Sequence, residues 1–341
     1  MIITLTGNLL AERTFVADDW KPGKTQRASA ESFQVGGKGI NVTKMLARIG
    51  ESTTAWCFVG GAPGDECSAW LQARGLPHRA FSTQAATRTG LVIRDSRGVV
   101  AETTFLGPDR AVDAAALRAC AEALARERIS KPQPQSHSEA EPHSQPNSEL
   151  QLQSEREAWP ESPLQLALCG SFPGFASDEA APLRDELAQW ARDDQLSVDT
   201  YGPPLRWSLD QPVSLVKINR DEFVALFESS EREIPVNKLL TAAGKRWPVR
   251  AWVITDGPND VFFALRSGEV GCVSPPQVKE VSATGSGDVV FACLLHALHT
   301  LKKPLAEAVK FALPYGAANA GDSRVAEFAL NNLPGVRSFP K

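Results

Sequence analysis

Short apolar runs and longer amphipathic runs alternate along almost the whole chain, and this alternation limits the possible folds more than any other feature. Strand patterns fall at 2–6, 53–59, 90–94, 164–169, 196–199, 214–217, 251–255 and 261–265. Helix patterns fall at 39–49, 65–74, 112–128, 178–193, 220–228, 236–246, 288–300 and 304–320. Strands interleaved with helices predict an α/β fold, with a mostly parallel sheet covered by helices. Runs near 14–16, 30–34, 90–94 and 99–105 are more amphipathic and predict a second, small sheet. In such folds ligands bind beyond the carboxyl ends of the strands. Small or polar motifs stand at those ends: Gly60-Gly61, Gly170-Ser171, Asp199, Asn219 and Thr255-Asp256-Gly257.

The chain has 341 residues, 43% of them hydrophobic and 22% charged, with a net charge of −4. That is ordinary for a globular protein and gives no basic tract for nucleic acid. No apolar run is long enough to span a bilayer. The opening Met1-Ile2-Ile3-Thr4-Leu5-Thr6 reads as a buried strand, not a signal peptide. Six scattered cysteines without a C-x-x-C argue for a reducing, cytoplasmic setting and against a disulfide framework or zinc site. The segment 130–158 is rich in Gln, Ser, Glu and Pro and is read as a disordered insertion within one domain spanning 1–341.

Three motifs carry candidate chemistry. Ser282-Ala283-Thr284-Gly285-Ser286-Gly287-Asp288 runs into the apolar stretch Val289 to Leu295, the pattern of a turn opening a buried helix. Glycines there let backbone N–H groups converge on an anion at a helix N-terminus. Asp288 is then either a helix cap or a base that accepts a hydroxyl proton. Gly36-Gly37-Lys38-Gly39-Ile40-Asn41 opens another helix. It is either a tight turn or a close approach to ligand, with Lys38 for phosphate and Asn41 for hydroxyls. In Lys217-Ile218-Asn219-Arg220-Asp221-Glu222, Asn219 and Glu222 share a helical face. They are either a capping box or oxygen ligands that hold Mg²⁺ through water.

In this order the motifs resemble the ribokinase-like sugar kinases of the phosphofructokinase B family. The nearest likeness is to the branch that phosphorylates hexose phosphates. Residues 36–50 resemble its first signature and 282–288 its second. Thr87-Arg88-Thr89, Gly170-Ser171-Phe172-Pro173, Asp199-Thr200-Tyr201-Gly202 and the K-x-N-x-x-E of 217–222 resemble motifs between them. The resemblance implies a three-layer α/β/α fold with a small β-sheet lid, built from about 12–35 and 88–106. It implies an ATP-dependent kinase acting on a phosphorylated ketohexose. Asp288 would be the base, and Gly285, Ser286 and Gly287 the anion hole. Lys38 and Arg88 would grip the sugar's phosphate. Glu12, Gly37, Gly39, Asn41 and Ser171 would line the sugar site. Lys217, Asn219, Thr255, Gly257 and Asn319 would face the nucleotide, with Asn319 on a helix beside the adenine. Glu222 and Asn219 would serve Mg²⁺. A monovalent cation and a homodimer through the lid also belong to the family picture.

The chain departs from the pattern in places. Glu12 stands where the family carries Asp. Thr255-Asp256-Gly257-Pro258-Asn259-Asp260 lacks a second glycine, Ala283 replaces a hydroxyl residue, and Cys169 replaces a serine. These leave open a kinase for another sugar, or a weakly active sugar-phosphate-binding protein on the same fold.

Overall fold

Every residue of the first strand, β1 (Ile2–Thr6), is buried. So is every residue of β8 (Gln165–Cys169) and β9 (Leu196–Asp199). A strand covered by helices on both faces reads as a continuous apolar run, which is why these were legible in the sequence. The computed structural model describes residues 1–95, 97, 102–130, 159 and 164–335. The predicted insertion, beyond Ser130, lies outside the described residues up to Ala158.

The remaining strands of the large sheet are β4 (Thr53–Val59), β5 (His78–Ser82), β10 (Leu215–Asn219), β11 (Ala251–Thr255), β12 (Val261–Leu265) and β13 (Val270–Val273). The described residues form a nine-stranded sheet in the order β13-β12-β11-β10-β9-β8-β1-β4-β5. Its pairings are parallel except β11–β12 and β12–β13.

Side chains alternate between the two faces along each strand. Ile3 and Leu5 of β1, Leu166 and Leu168 of β8, and Val216 and Ile218 of β10 join one core. That core is closed by α3 (Ala114–Ser130), α4 (Ala181–Arg192), α6 (Arg220–Val224) and α7 (Val236–Arg246), with α5 (Pro203–Ser208) at its margin. The opposite face packs on α1 (Lys38–Arg48), α8 (Ser286–His299) and α9 (Leu305–Ala320). α8 is apolar nearly all round because α9 covers the side that the sheet does not. Gly316 permits that contact: a Cβ there would lie 2.4 Å from Val290.

A second sheet joins β2 (Leu10–Val16), β3 (Ala30–Gly36), β6 (Arg88–Arg94) and β7 (Thr103–Leu106) in the order β3-β2-β6-β7. α2 (Gly61–Ala73) closes a smaller core beneath β2 and β3. Phe105 and Leu106 at its edge are more than half exposed. The predicted small sheet is therefore present. β5, β13 and α5 are additions to the expected elements. β5 and β13 are edge strands with one partner each among the described residues; β5 is polar apart from Ala80 and Phe81, and β13 is only four residues long. The expected helix at 220–228 stops at Val224. No helix of the described residues is long and apolar enough to cross a membrane.

Candidate active site

Parallel register aligns the strand ends. Thr6 pairs with Cys169, Cys169 with Asp199, and Asn219 with Thr255. Polar side chains at these positions therefore reach one crevice at the carboxyl edge of the sheet. The turn before α8 lies across it.

Gly285 caps α8 in the left-handed region at φ 74°, a conformation that glycine takes without a Cβ clash. A Cβ there would also lie 2.2 Å from Val325. Gly287 has a different reason: its Cβ would stand 2.7 Å from Lys217 Nζ. The Asp288 side chain is buried at 6% exposure, and Asn41 Nδ2 donates to its Oδ2 at 2.8 Å. Burial, reinforced by the nearby Asp199 charge, pushes the Asp288 carboxyl up to about 6. Lys38, Lys217 and the Asn41 hydrogen bond pull the other way. A carboxyl with that balance is a proton acceptor at neutral pH.

Asp199 organises the cations. It is fully buried, with Lys38 Nζ at 2.6 Å from Oδ1 and Lys217 Nζ at 2.8 Å from Oδ2. Burial alone would raise its carboxyl, but Lys217 and Lys38 outweigh that and hold it below the usual range. Burial alone would lower the Lys38 ammonium, but Asp199, Asp288 and Glu222 reverse the direction and raise it. Lys38 is therefore held in its charged form, chiefly by its ion pair with Asp199.

Two cavities meet at these residues. One, of about 330 Å³, is lined by Lys217, Asn219, Glu222, Thr255 and Gly257, with Pro258, Val261, Leu313 and Ala317 as apolar wall. The other, of about 210 Å³, is lined by Glu12, Gly37, Asn41, Arg88 and Ser171, with Gln34 beside Glu12. Lys38, Gly285 and Asp288 line both. Glu12 accepts a hydrogen bond from Gln34 on the neighbouring strand, and burial raises its carboxyl. Arg88 Nη1 lies 2.9 Å from Asp109, while its Nε is buried with no hydrogen-bond partner among the described residues. Asn8 donates to both Asp109 (2.8 Å) and Ser171 (2.9 Å).

Three expected placements need correction, those of Gly39, Asn319 and the Ser286 amide. Gly39 does not line the sugar-side cavity. It lies in the first turn of α1 on the side facing the sheet, where a Cβ would meet Thr6 Oγ1 at 2.3 Å, so it serves helix-on-sheet packing. Asn319 does not face the nucleotide-side cavity. It is buried, and its amide donates to Thr284 O (2.9 Å) and Ser286 Oγ (3.0 Å) while Ala326 N donates to its Oδ1 (2.7 Å). It staples the glycine turn to the chain beyond α9. The Ser286 amide already donates to Ala283 O at 3.2 Å, so the amides at the helix start left without a backbone acceptor among the described residues are those of Gly285, Gly287 and Asp288. Asn219 and Glu222 form a capping box, each side chain accepting from the other's backbone N–H at 2.8 and 3.0 Å.

Sequence reasoning assigned no role to Asp199, Asp109, Asn8 or Gln34. Asp199 had a signal, a carboxylate closing an otherwise apolar parallel strand. Asp109 stands in irregular chain with no pattern to mark it, while Asn8 opens the stretch Asn8-Leu9-Leu10-Ala11-Glu12 whose likeness drew attention to Glu12 alone.

The family model for pfkB family carbohydrate kinases matches residues 3–129 and 133–330. The chain is 26% identical over 333 residues to a 1-phosphofructokinase of Borreliella burgdorferi, covering 96% of this chain and 94% of that one. It is 24% identical over 345 residues to the 1-phosphofructokinase of Bacillus subtilis strain 168, covering 99% of each. Phosphofructokinase-2 from Escherichia coli, solved in complex with substrates and products, superposes with a TM-score of 0.74 at 22% identity, over 96% of this chain and 94% of that one. At that identity the likeness speaks for the fold.

Proposed function

Because the chain belongs to the pfkB family of carbohydrate kinases, we propose that it transfers the γ-phosphoryl group of ATP to a hydroxyl of a phosphorylated ketohexose. The observation that carries this reading is the meeting of two cavities at Lys38, Gly285 and Asp288. A phosphoryl donor in one and an acceptor in the other would face each other across a base, a cation and a helix N-terminus.

Asp288 accepts the proton of the attacking hydroxyl as its oxygen bonds to phosphorus and the bond to the ADP oxygen breaks. The amides of Gly287 and Asp288 and the Lys38 ammonium bear the charge on the transferring group. Catalysis here is positioning and charge neutralisation. The apolar wall of the larger cavity suits the nucleotide base. Arg88 takes the phosphate already on the sugar. Its unpartnered Nε is a buried donor awaiting an acceptor, and Ser171 and Asn8 stand beside it. Asp109 is then the resident counter-ion that holds the guanidinium in place. Lys38, paired with Asp199 at the junction, is reassigned from the sugar's phosphate to the transferred one.

The donors fit Mg²⁺ only through water. The capping box occupies one oxygen of Glu222 and leaves the other for a water of the hydrated ion. Mg²⁺ carried with the nucleotide would supply neutralisation of its phosphates. A monovalent cation beside the 282–285 turn, a dimer through the exposed edge of the small sheet and a cytoplasmic setting complete the proposal.

Replacing Arg88 with Met tests the acceptor. A charge-assisted hydrogen bond is worth about 1.5–3 kcal/mol, so KM for a sugar phosphate should rise about 10- to 150-fold. KM for a neutral sugar should hardly move. Equal effects on both would remove the phosphate role from Arg88.

Asn41 gives a pH test. Its hydrogen bond favours the ionised form of Asp288, which is deprotonated above about pH 6. The profile of kcat/KM should therefore fall as pH drops through that region. Asn41→Leu removes the donor and should move the acidic limb to higher pH. A limb that stays put, or moves down, would mean that Asp288 is not the titrating base.

A further inference from the structure

On the far side of the glycine turn, α1, the end of α2 and the chain after α9 enclose a separate cavity of about 310 Å³, lined by Lys44, Arg48, Trp70, Arg74 and Glu327 among others. Its charge is unbalanced. Glu327 Oε1 lies 3.4 Å from Lys44 Nζ and 3.3 Å from Arg74 Nη1, and its Oε2 lies 3.2 Å from Arg324 Nη1. Arg48 donates to the carbonyls of Ala326 and Phe328, both at 2.5 Å. Three cations thus contact one carboxylate and Arg48 lines the same cavity, with Asp322 3.8 Å from Arg324 at the rim. Burial, with Arg74 and Arg48 adding to it, pushes the Lys44 ammonium down against the pull of Glu327. Arg74 also lies over the Trp70 ring at 4.5 Å, which fixes its guanidinium plane.

We propose that this cavity binds a small phosphate-bearing anion, which takes the place of the Glu327 carboxylate among Lys44, Arg74 and Arg324, and that its occupancy is transmitted to the glycine turn of the catalytic site. A phosphate dianion offers more charge and more acceptor oxygens than a single carboxylate. Glu327 is the internal occupant that keeps the empty cavity from leaving its cations uncompensated.

The transmission has a short physical route. The segment 325–328 is held on the cavity side by Lys44, which donates to Val325 O at 2.8 Å, and by Arg48. The same segment reaches the catalytic turn in two ways, one direct and one through Asn319. Val325 packs where a Gly285 side chain would be, and Ala326 N bonds Asn319, whose amide holds Thr284 and Ser286. Releasing Glu327 therefore acts on a strap that sets the position of Gly285 and the first amides of α8. The binding half of the inference stands by itself. The coupling half rests on the phosphoryl-transfer reading above.

The probe is inorganic phosphate, titrated calorimetrically into the full chain with the nucleotide cavity saturated by a non-hydrolysable ATP analogue and Mg²⁺. Arg74 and Arg324 are half-exposed or more, so Arg74→Gln with Arg324→Gln should fold normally. The double variant should weaken phosphate binding at least tenfold. Glu327→Gln removes the competing anion and should tighten it several-fold. No binding to the wild type, or unchanged affinity in both variants, overturns the site. Phosphate should also change KM for ATP or kcat in the wild type but not in the double variant. Binding without that difference overturns the coupling. A protein that binds phosphate as described but releases no ADP with any sugar phosphate would keep the site while the kinase reading fell.

Discussion

Asp288→Asn is expected to lower kcat by about 10²- to 10⁴-fold, the range that a positioned general base contributes. The amide preserves the shape of the side chain and can still meet Asn41 with its oxygen, so the first turn of α8 should hold. What it loses is the site for the proton. Sugar-phosphate binding, measured by equilibrium titration, should be largely intact, because Arg88, Ser171 and Glu12 lie on other elements. A variant that keeps more than about a tenth of the wild-type kcat would contradict the assignment of Asp288 as base.

Asp199→Asn should have the largest effect on stability. The wild-type carboxylate is fully buried and shared by Lys38 and Lys217. Its loss leaves two cations in one crevice with no anion between them. Removing one partner of a buried ion pair costs about 3–5 kcal/mol, so the unfolding midpoint should fall by several degrees. Activity should collapse as well, since Lys38 loses the group that aims it at the junction of the cavities. The pH profile gives a signature that simple unfolding would not. The Asp199 charge raises the Asp288 carboxyl, so its removal should shift the acidic limb of residual activity to lower pH. A variant with unchanged melting and unchanged profile would show that the three charges do not act together.

Much of the architecture was legible because it is written in burial. Central strands such as 164–169 and 251–255 are apolar but for Gln165 and Thr255, and the helices between them have clear periodicity. The small sheet was visible in the amphipathic runs at 30–34 and 90–94. Edge strands were lost, since His78–Ser82 has no apolar alternation beyond Phe81. Short motifs marked the strand ends, and Asp288, Lys38, Asn41, Arg88 and Ser171 do converge on one crevice. The pairing of charges was not legible. Lys38 and Asp199 are 161 residues apart and Arg88 and Asp109 flank the β6–β7 pair, and only the folded chain brings each pair together. The same limit misplaced Gly39 and Asn319. A glycine that admits a ligand and a glycine that admits a neighbouring strand read alike. So do an asparagine that faces a cavity and one that staples a turn.

The most direct measurement is ADP release by the wild-type chain with ATP and Mg²⁺ over a panel of acceptors. The panel should include fructose 1-phosphate, fructose 6-phosphate, tagatose 6-phosphate and their unphosphorylated sugars, with Asp288→Asn as the control. At least one phosphorylated ketohexose should be turned over with a kcat/KM well above that of its neutral counterpart, and the control should show the loss of about 10²- to 10⁴-fold in kcat expected above. ADP release that favours neutral sugars, or none with any phosphorylated ketohexose, would contradict the proposed function.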